Sequence, residues 1–310
     1  MGSVGVGPDG PDRTSDGGAL HVPVLRDEVV ELLTGDRGGD RVVIDATLGA
    51  GGHAEAILEA GARRVIGIDR DPLARESATE RLSRFGERIS VRGGLYSEVL
   101  AEMAETRAPV GGILLDLGVS SMQLDRSERG FSYRQDGPLD MRMSSEGPTA
   151  ASIVNEASEE ELADIIYELG EERRSRRVAA AIVRARSRHP IETTDELSRI
   201  VSGALGSRRG GAHPARRTFQ ALRLAVNEEL EELQRALPIA VQALAPGGRL
   251  VVIAYHSLED RIVKRFFVET PELQVITRKP IRPTTGEVEE NPRARSARLR
   301  AAERRGDVAA

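Results

Sequence analysis

A glycine-rich turn next to an acidic strand end is the stretch of this sequence best suited to bind a small molecule. The β-branched run at 42–44 predicts a short buried strand that ends at Asp45. The turn after this strand contains three glycines: Gly49, Gly51 and Gly52. A helical apolar pattern follows the turn. Because such a turn exposes main-chain groups at the carboxyl end of a strand, a small ligand can lie directly against the backbone.

A second acidic residue, Asp69, ends the next predicted strand at 65–69. In a doubly wound sheet this carboxylate lies beside the first loop, where it can accept hydrogen bonds from both hydroxyls of a ribose. The same stretch also suits a helix start, because Asp71 and Pro72 follow and proline is favoured in a first helical turn. The two stretches together are compatible with either NAD or S-adenosylmethionine.

A third acidic residue, Asp116, ends the apolar strand predicted at 111–118. The carboxyl end of this strand is where ligands of doubly wound sheets bind. The 25 residues from Val119 to Met143 are rich in polar and turn-forming types and have no clear period. Because long structureless loops in compact domains are usually functional, we predict that this segment is a substrate lid.

The fifth predicted strand distinguishes between the two cofactors. An Ala-Pro-Gly-Gly turn at 245–248 leads into it, and its exit is polar, with His256 and Ser257. This arrangement is frequent in S-adenosylmethionine-dependent methyltransferases, whereas a nicotinamide dehydrogenase offers no reason for it. The pattern therefore favours S-adenosylmethionine. An NAD-dependent oxidoreductase and a non-catalytic cofactor-binding module stay open as alternatives.

The elements that must position these residues alternate between strand and helix up to position 118. Such alternation predicts a parallel sheet with helices on both faces. From Thr149 to Ala204 the pattern is helical only, so we predict an inserted all-helical domain that recognises the substrate. The expected boundaries are a disordered leader at 1–19, a first α/β part at 20–123, the helical insertion at 124–211 and a second α/β part at 212–310.

Composition excludes several classes of protein. The 310 residues are 39% hydrophobic and 30% charged, which is typical of a globular protein. We expect no contact with a membrane, because no apolar run approaches a membrane span and no signal peptide is recognisable. The absence of cysteine excludes thiolate metal sites, and the five histidines lack metal-ligand spacing, so no metal is expected. A cytoplasmic location is expected.

Positive charge is concentrated in three segments, although the net charge is −5. The segments are Arg173–Arg188 with seven arginines, Arg208–Arg217 with four and Arg293–Arg305 with six. Basic segments in an acidic chain favour local phosphate contacts over general coating by nucleic acid. For the stretch at 171–177 a solvated helix face with acidic partners at i,i+4 spacing is a serious alternative to a phosphate contact.

Short motifs also occur in a characteristic order along the chain. They are His21-Val-Pro-Val-Leu25, Gly49-Ala-Gly-Gly-His53, Ile68-Asp-Arg-Asp-Pro72, Leu115-Asp-Leu-Gly-Val-Ser-Ser121, Glu128-Arg-Gly-Phe-Ser132, Asp136-Gly-Pro-Leu-Asp-Met-Arg-Met143, Arg217-Thr-Phe-Gln220 and His256-Ser-Leu-Glu-Asp-Arg-Ile-Val-Lys264. In this order they resemble the bacterial ribosomal RNA small-subunit methyltransferase H family (the RsmH, or MraW, type), over about 21–303. Members of this family methylate the exocyclic N4 of a cytidine in the decoding region of 16S rRNA.

The resemblance implies a class I S-adenosylmethionine-dependent methyltransferase fold, a Rossmann-like doubly wound α/β sheet with a helical insertion. It also implies the cofactor contacts Gly51, Gly52, His53, Asp69, Tyr96, Asp116 and Gln123. Gly49 joins this set from the glycine turn. The expected cofactor is therefore S-adenosyl-L-methionine, and the expected partner is 16S rRNA in the small ribosomal subunit. A monomer and a homodimer are both compatible with the sequence.

Three positions depart from the family pattern. Tyr96 stands where phenylalanine is usual, so an aromatic side chain is kept beside the adenine. Met122 stands where proline is common, and Arg216 replaces a threonine. The last two lie beside the expected site and can alter loop stiffness or RNA contact, but neither removes a group with obvious chemistry.

The expected reaction needs acceptors for the hydrogens of an amino group. The cytosine amino nitrogen is a weak nucleophile, so the enzyme must align it with the sulfonium methyl and accept hydrogen bonds from its N–H groups. DNA amino-methyltransferases use an Asp/Asn-Pro-Pro-aromatic loop, which the sequence after Asp116 lacks. We expect the catalytic residues to be Asp116, Asp140, His256 and Ser257. His256 is interpreted equally well as a proton acceptor or as a structural residue at the strand exit.

Few aromatic residues are available to stack on an extruded base, which must leave its stack to be methylated. They are Phe131, Tyr133 and Phe219. Phe131 in a polar loop is favoured for stacking, whereas Phe219 at a helix start is more typical of a core. The predicted phosphate contacts are Arg142, Arg216, Arg217, Arg293 and Arg295.

Overall fold

A single mixed sheet forms the centre of the molecule. The computed structural model describes residues 22–35, 41–106, 109–206 and 212–306. The strands are β1 (Val42–Asp45), β2 (Arg64–Asp69), β3 (Ile89–Gly93), β4 (Val110–Asp116), β5 (Leu244–Ala254), β6 (Leu273–Val275) and β7 (Arg298–Arg304). The predicted leader at 1–19, the motif residue His21 and most of the predicted exit linker, at 207–211, lie outside the described residues.

The strand order is β3-β2-β1-β4-β5-β7-β6. The first five strands run parallel to their neighbours, and β7 pairs antiparallel with both β5 and β6. The direction in which the chain proceeds across the sheet therefore reverses between β1 and β4, which is where a doubly wound sheet opens a crevice for ligands. Strand β4 is buried on both faces for most of its length, which explains its unbroken apolar run.

The helices in the described ranges cover both faces of the sheet or form a separate layer beside it. They are α1 (Arg26–Thr34), α2 (Gly52–Glu59), α3 (Pro72–Leu82), α4 (Tyr96–Thr106), α5 (Ser121–Asp125), α6 (Ala150–Glu156), α7 (Glu159–Glu168), α8 (Ser175–Arg186), α9 (Thr194–Leu205), α10 (Arg216–Asn227), α11 (Glu229–Ala243), α12 (Ser257–Glu269) and α13 (Thr285–Glu290). Helices α1 to α3 pack on one face, where Leu33, Ile57 and Leu82 meet the strands. Helices α4, α11 and α12 pack on the other, so the sheet is buried from both sides.

Helices α6 to α10 pack around a separate hydrophobic core. Ser158 and Thr193 begin α7 and α9 through capping boxes, and Thr193 is one of the two caps expected from sequence. The core continues into α10, where Phe219 and Val226 are buried, so it extends past the predicted boundary near 211. These helices form one layer, which we call the helical layer.

The segment predicted to be a lid, 119–143, is built into the helical layer. Leu139 and Met141 are fully buried in its core. The Leu139 N–H donates to the Glu192 carbonyl at 2.8 Å, and its own carbonyl accepts from Ala151 at 2.7 Å. The lid interpretation is therefore wrong for these residues: burial and backbone pairing make the segment a fixed strap. The burial of this segment was not predictable from its sequence, because the segment is mostly polar and its buried apolar residues are few and irregularly spaced.

Most predicted elements are confirmed, with two differences. The residues at 221–243 predict one long helical stretch, but the structure contains two helices, α10 and α11, because Glu228 between them has a φ of 48°. The last strand begins at Arg298 and runs to Arg304, whereas the sequence indicated 296–299. None of the helices in the described ranges is long and apolar enough to cross a membrane.

Candidate active site

The glycine turn between β1 and α2 leaves backbone exposed at the carboxyl edge of the sheet. Gly51 has a φ of +80°, and a Cβ atom there would lie 2.9 Å from the Leu82 side chain. Gly49 has a φ of +53°, but the nearest atom to a Cβ there would be the Thr47 carbonyl oxygen, 4.0 Å away. Gly51 is therefore required for packing against α3, whereas Gly49 borders open space in which a ligand can lie.

Asp69 fixes the shape of this turn. Its Oδ2 accepts a hydrogen bond from the Gly49 N–H, and its Oδ1 accepts from the Asp71 N–H, both at 2.8 Å. Burial raises the pKa of Asp69 above its ordinary value, although the two N–H donors oppose this. The predicted neighbourhood of Asp69 and the glycine turn is therefore confirmed. Each carboxylate oxygen retains a second lone pair for a ribose hydroxyl.

Asp45 and His53 are buried polar side chains at this edge with atoms that lack hydrogen-bond partners in the described part of the chain. Asp45 is 1% exposed, and its Oδ2 has no partner, whereas Oδ1 accepts from the Thr47 N–H. His53 is 6% exposed, and neither ring nitrogen makes a hydrogen bond. Its Nε2 does lie 3.4 Å from the Asp116 carboxylate, which is ion-pair distance without hydrogen-bond geometry. Because buried polar atoms are nearly always paired, these atoms indicate a polar ligand.

Burial also raises the pKa of Asp45 from 3.8 to about 6, because the ionised form is poorly solvated. His53 lowers this pKa, while the nearby carboxylates of Asp116 and Asp69 raise it. The three carboxylates therefore interact electrostatically at one edge of the sheet. A cation bound there would favour their ionised forms.

Asp116 is held by groups from two neighbouring strands. The Tyr255 hydroxyl donates to its Oδ1 at 2.9 Å, and the Asp116 N–H donates to the Thr47 hydroxyl at 2.6 Å. Burial, reinforced by the Asp116 charge, raises the pKa of Tyr255 well above its ordinary value. Tyr255 therefore stays protonated and acts as a donor. The Asp116 carboxylate is fixed in orientation beside the His53 ring.

Gln123, another predicted cofactor contact, joins α5 to the loop after β2. Its amide nitrogen donates to Asp71 Oδ2 at 2.9 Å, and its carbonyl oxygen accepts from the Ser120 N–H at 3.0 Å. The Arg129 guanidinium binds the same Asp71 oxygen at 2.8 Å. The three side chains form a largely buried cluster that anchors the start of the strap. Contact between Gln123 and the cofactor stays a prediction.

Tyr96 is the first residue of α4 and is partly buried against the core of the sheet. Burial raises its pKa well above the ordinary value, and the Glu232 charge adds to this effect. Both Glu232 oxygens accept from Ser97, one from its N–H and one from its hydroxyl, each at 2.8 Å. A buried carboxylate from α11 thus fixes the helix start that carries the Tyr96 ring.

Asp140, predicted to be catalytic, is paired within the strap. Its carboxylate accepts from Arg142 Nε at 2.9 Å and from Nη2 at 2.7 Å, and it also accepts from the Arg142 N–H. Burial opposes ionisation, but these bonds lower the pKa of Asp140 overall. Its backbone carbonyl accepts from Ala150 at the start of α6. These contacts give Asp140 and Arg142 a structural role, and they do not bring Asp140 to Asp116.

His256 caps α12. Its Nδ1 accepts from the Glu259 N–H at 3.4 Å. Its Nε2 lies at ion-pair distance from Glu259 Oε1, 3.0 Å, but makes no hydrogen bond in the described part of the chain. Burial opposes ionisation of Glu259, but the bonds and charge of His256 lower its pKa overall. Both ring nitrogens of His256 therefore face Glu259. The structure therefore favours the structural interpretation of His256 over proton transfer.

Ser257 faces the helical layer. Its hydroxyl donates to the Glu171 carboxylate, which Arg261 also contacts at 3.1 Å. Glu171 has a φ of 50°, in the left-handed region. Hydrogen bonding to Ser257 lowers the pKa of Glu171, against a smaller effect of burial. The predicted catalytic residue Ser257 is therefore part of a bridge from the helical layer to α12.

The burial of the three aromatic residues considered for base stacking differs in part from the prediction. Phe131 is 6% exposed and Phe219 is 3% exposed, both in the core of the helical layer. The preference for Phe131 as a stacking residue is therefore wrong, while the core interpretation of Phe219 is confirmed. Tyr133 is partly buried and stacks on the exposed ring of His213, with centroids 4.8 Å apart and planes 18° apart. Sequence reasoning did not select His213.

The five arginines predicted to bind phosphate differ in whether their side chains already have partners in the protein. Arg217 and Arg293 are exposed but engaged, Arg217 with the Glu171 carbonyl at 2.9 Å and Arg293 with Asp125. Arg142 is bound to Asp140. Arg216 and Arg295 are exposed, and neither forms an ion pair within the described ranges. These two arginines are the best placed of the set to meet a phosphate.

Three residues that build the site had no role assigned from sequence. Asp45 and Thr47 flank the start of the turn, and Tyr255 follows β5 directly. Each lies at or just after the carboxyl end of a strand, which was the available signal. The Tyr255–Asp116 bond was not predictable, because the residues are 139 positions apart.

These residues fit S-adenosylmethionine. Gly49 leaves space against the backbone, and Asp69 carries free lone pairs beside it. The carboxylates of Asp45, Asp69 and Asp116 complement the sulfonium and ammonium charges of this molecule. The unpaired atoms of Asp45 and His53 supply further polar contacts. The donor set and the space therefore agree with the cofactor expected from sequence.

Comparisons with known proteins agree with this assignment. The sequence profile described as the MraW methylase family matches residues 18–305. A protein of Nitrobacter winogradskyi named Ribosomal RNA small subunit methyltransferase H is 52% identical, over 92% of this chain and 90% of that protein. A protein of the same name from Bradyrhizobium diazoefficiens is 50% identical, over 92% of each chain.

Among solved structures, the N-methyltransferase NodS of Bradyrhizobium japonicum aligns with a TM-score of 0.43 at 12% identity, over 91% of this chain and 94% of that chain. A TM-score of this size is too low to argue from. The strand order with its reversal between β1 and β4 and its antiparallel β7 agrees with a class I methyltransferase fold. Because the profile spans nearly the whole chain and the relatives are half identical to it, the chain belongs to the MraW methylase family.

Proposed function

We propose that this protein transfers a methyl group from S-adenosylmethionine to the exocyclic N4 of a cytidine in the 16S rRNA of the small ribosomal subunit. The observation that carries the proposal is the Asp116 carboxylate, which the Tyr255 hydroxyl fixes beside His53 and next to the glycine turn. The names of the relatives support ribosomal RNA of the small subunit as the substrate.

The chain's own residues supply orientation and hydrogen-bond acceptors. S-adenosylmethionine supplies an electrophilic methyl group on a sulfonium. Asp116 accepts a hydrogen bond from the cytosine amino group, so electron density stays on nitrogen as its positive charge develops. Tyr255 holds the carboxylate in one rotamer, because its hydroxyl remains a donor across the physiological pH range. Alignment of the two reactants then supplies much of the acceleration.

The amino group is favoured over the ring carbon C5 as the methylated atom. Methylation of C5 generally requires a thiolate that first adds to the pyrimidine ring, and this sequence contains no cysteine. Direct attack by the amino nitrogen needs no covalent intermediate with the protein. An acceptor such as Asp116 is then the main requirement.

The RNA contacts follow from the exposed groups. Arg216 and Arg295 are free to bind phosphates, and the exposed His213 ring, backed by Tyr133, can stack on a flipped base. The Tyr133 ring contacts Phe219 in the core of the helical layer, and the His213 ring stacks on Tyr133. The helical layer therefore carries the substrate-recognition role. A cytoplasmic location follows from a ribosomal substrate.

Methyl transfer onto small subunits tests this proposal. Subunits assembled from unmethylated 16S rRNA are incubated with enzyme and methyl-labelled S-adenosylmethionine, and the RNA is digested to nucleosides. We expect the label in N4-methylcytidine. Label in C5-methylcytidine, in a ribose methyl group or in no RNA nucleoside would contradict the proposal.

Two variants separate the predicted catalytic carboxylates. Asp116→Ala is expected to lose turnover by a factor of about 10² or more, because the acceptor is removed from the reacting centre. Asp140→Ala is expected to affect the fit of the strap and to keep most of the turnover, since Asp140 is paired with Arg142. An equal loss of turnover in both variants would contradict this distinction and indicate that Asp140 is also catalytic.

A further inference from the structure

A groove on the helical layer combines an apolar floor with an acidic rim. It encloses about 650 Å³ and is formed by α6 and α7 with one residue from α11. Four half-buried side chains provide the apolar floor: Ile153, Ala157, Ile165 and Leu169. Five exposed carboxylates provide the rim: Glu156, Glu161, Asp164, Glu168 and Glu231. We call this feature the acidic groove.

The charge of the acidic groove is not neutralised by the protein itself. No lysine or arginine lines it. Glu161 accepts a hydrogen bond from the Ser158 N–H as part of a helix cap. The other four rim carboxylates form no ion pair within the ranges that the structure describes. Because these carboxylates are close together and unpaired, the groove presents a local negative potential.

The neighbouring helix α8 has the opposite character. The exposed arginines in and beside it are Arg173, Arg176, Arg177, Arg184 and Arg188. None of them lines the acidic groove. A phosphate backbone would be attracted to α8 and repelled by the groove, so the helical layer separates a surface suited to RNA from one that is not.

We propose that the acidic groove binds a lysine- or arginine-rich amphipathic segment of another protein. An amphipathic helix places apolar residues along one face, which can cover the floor, and its flanking cations can meet the rim carboxylates. Complementary charge gives this class of partner specificity and fast association, and it excludes RNA. The proposal goes beyond methyl transfer and does not depend on it.

Binding of a labelled peptide by the full chain tests the proposal without any measurement of activity. The probe is a helical peptide with leucines at i, i+3, i+4 and i+7 spacing and lysines elsewhere, followed by fluorescence anisotropy. We expect the wild type to bind it, and salt to weaken the binding. The same peptide with glutamate in place of lysine should not bind.

Charge reversals locate the site. Asp164→Lys with Glu168→Lys reverses two rim residues on α7 and is expected to weaken binding about 10-fold or more. The matched control is Glu159→Lys with Glu160→Lys, which makes the same charge change on the same helix at exposed positions outside the groove. We expect the control to change affinity less than about twofold. Glu156→Lys, on α6, tests the other helix independently and should also weaken binding.

Several outcomes would overturn the proposal. Equal affinity in the wild type and the two groove variants places the peptide elsewhere, and equal loss in the control shows a response to net charge alone. If analytical sedimentation shows a dimer for the wild type and a monomer for the groove variants, the occupant of the groove is a second copy of this chain. If the groove variants bind a 16S rRNA fragment more tightly than the control does, while peptide binding is unchanged, the groove is a surface that faces RNA.

Discussion

Burial at the edge of the sheet disfavours the ionised form of Asp45. Its pKa is raised to about 6 because it is buried with one oxygen unpaired. Between the ordinary pKa of 3.8 and this value, the folded state binds more protons than the unfolded state. The contribution of Asp45 to stability is therefore largest at low pH and falls as pH rises through this window.

Asp45→Asn should remove this pH dependence. The difference between the two pKa values corresponds to ~3 kcal/mol, so in the absence of cofactor we expect the variant to be more stable than the wild type at pH 7 by up to about that amount. Near pH 4 the two proteins should differ little. Chemical unfolding at both pH values measures this. A stability difference that does not grow with pH would show that Asp45 is solvated.

We expect Tyr255 to act on the reaction through Asp116, to which its hydroxyl donates a hydrogen bond. Tyr255→Phe removes only the hydroxyl that fixes the carboxylate. We expect turnover to fall about 10-fold, whereas affinity for S-adenosylhomocysteine should change less than about twofold, because the variant impairs alignment in the transition state and leaves the cofactor-binding groups in place. Steady-state kinetics with small subunits measures the first quantity and calorimetry the second. An unchanged turnover would mean that Asp116 is oriented without Tyr255.

At the residue scale, the position of an acid at a strand end was enough to predict Asp69 and Asp116. The partners of polar groups were not predictable in the same way. His256 and Ser257 have residue types suited to catalysis, yet His256 caps α12 through its Nδ1 and the Ser257 hydroxyl donates to Glu171. Phe131 was assigned to the surface because its neighbours are polar, but the strap folds back and buries it. Burial of a side chain in a loop depends on contacts distant in sequence.

At the element scale, the bridge between Glu171 and α12 joins the helical layer to the part of the chain that carries the site. Glu171→Gln removes the charge that faces Arg261 and weakens the bond from Ser257. Because Arg261 is exposed and Glu171 and Ser257 are only partly buried, we expect little change in melting temperature, below about 2 °C. Amide hydrogen exchange around 170–173 and 256–261 should accelerate severalfold.

The matched control for this bridge is Glu160→Gln, an exposed change on α7 that should leave exchange unchanged in both segments. Unaltered exchange in Glu171→Gln would mean that the helical layer is held on α12 by other contacts.

The sequence did not indicate that α10 belongs to the helical layer. Periodicity predicted α7 to α9. Helix α10 follows a glycine-rich linker, and its membership of the helical layer is decided by the burial of Phe219 and Val226.

At the scale of the whole molecule, charge is separated between acidic and basic surfaces, and this separation should determine how RNA binding depends on salt. Arg216→Glu combined with Arg295→Glu removes two exposed, unpaired cations. We expect weaker binding of 16S rRNA and a smaller slope of log affinity against log salt, by about 0.7 for each phosphate that is no longer neutralised. Arg265→Glu is the control, because that residue is paired with Glu269. Equal slopes in all three proteins would contradict the assignment of these two arginines to phosphates.

The class of fold was predictable from strand and helix alternation, because parallel strands and their covering helices each leave a period in the sequence. The antiparallel position of β7 between β5 and β6 was not predictable, since strand order depends on pairing between distant segments. The family motifs added the cofactor, whereas the acidic groove carries no motif. It exists only because α6, α7 and α11 place their carboxylates around one floor.

Isothermal titration of the full chain with S-adenosylhomocysteine tests the central claim most directly, namely that the glycine turn and Asp69 hold a sulfonium donor. We expect one binding site, no heat with NADH, and affinity at least about 10-fold weaker in Asp69→Ala than in an Asp125→Ala control, because Asp69 both shapes the turn and accepts from the ribose. Heat with NADH but not with S-adenosylhomocysteine, or unchanged affinity in Asp69→Ala, would contradict the claim.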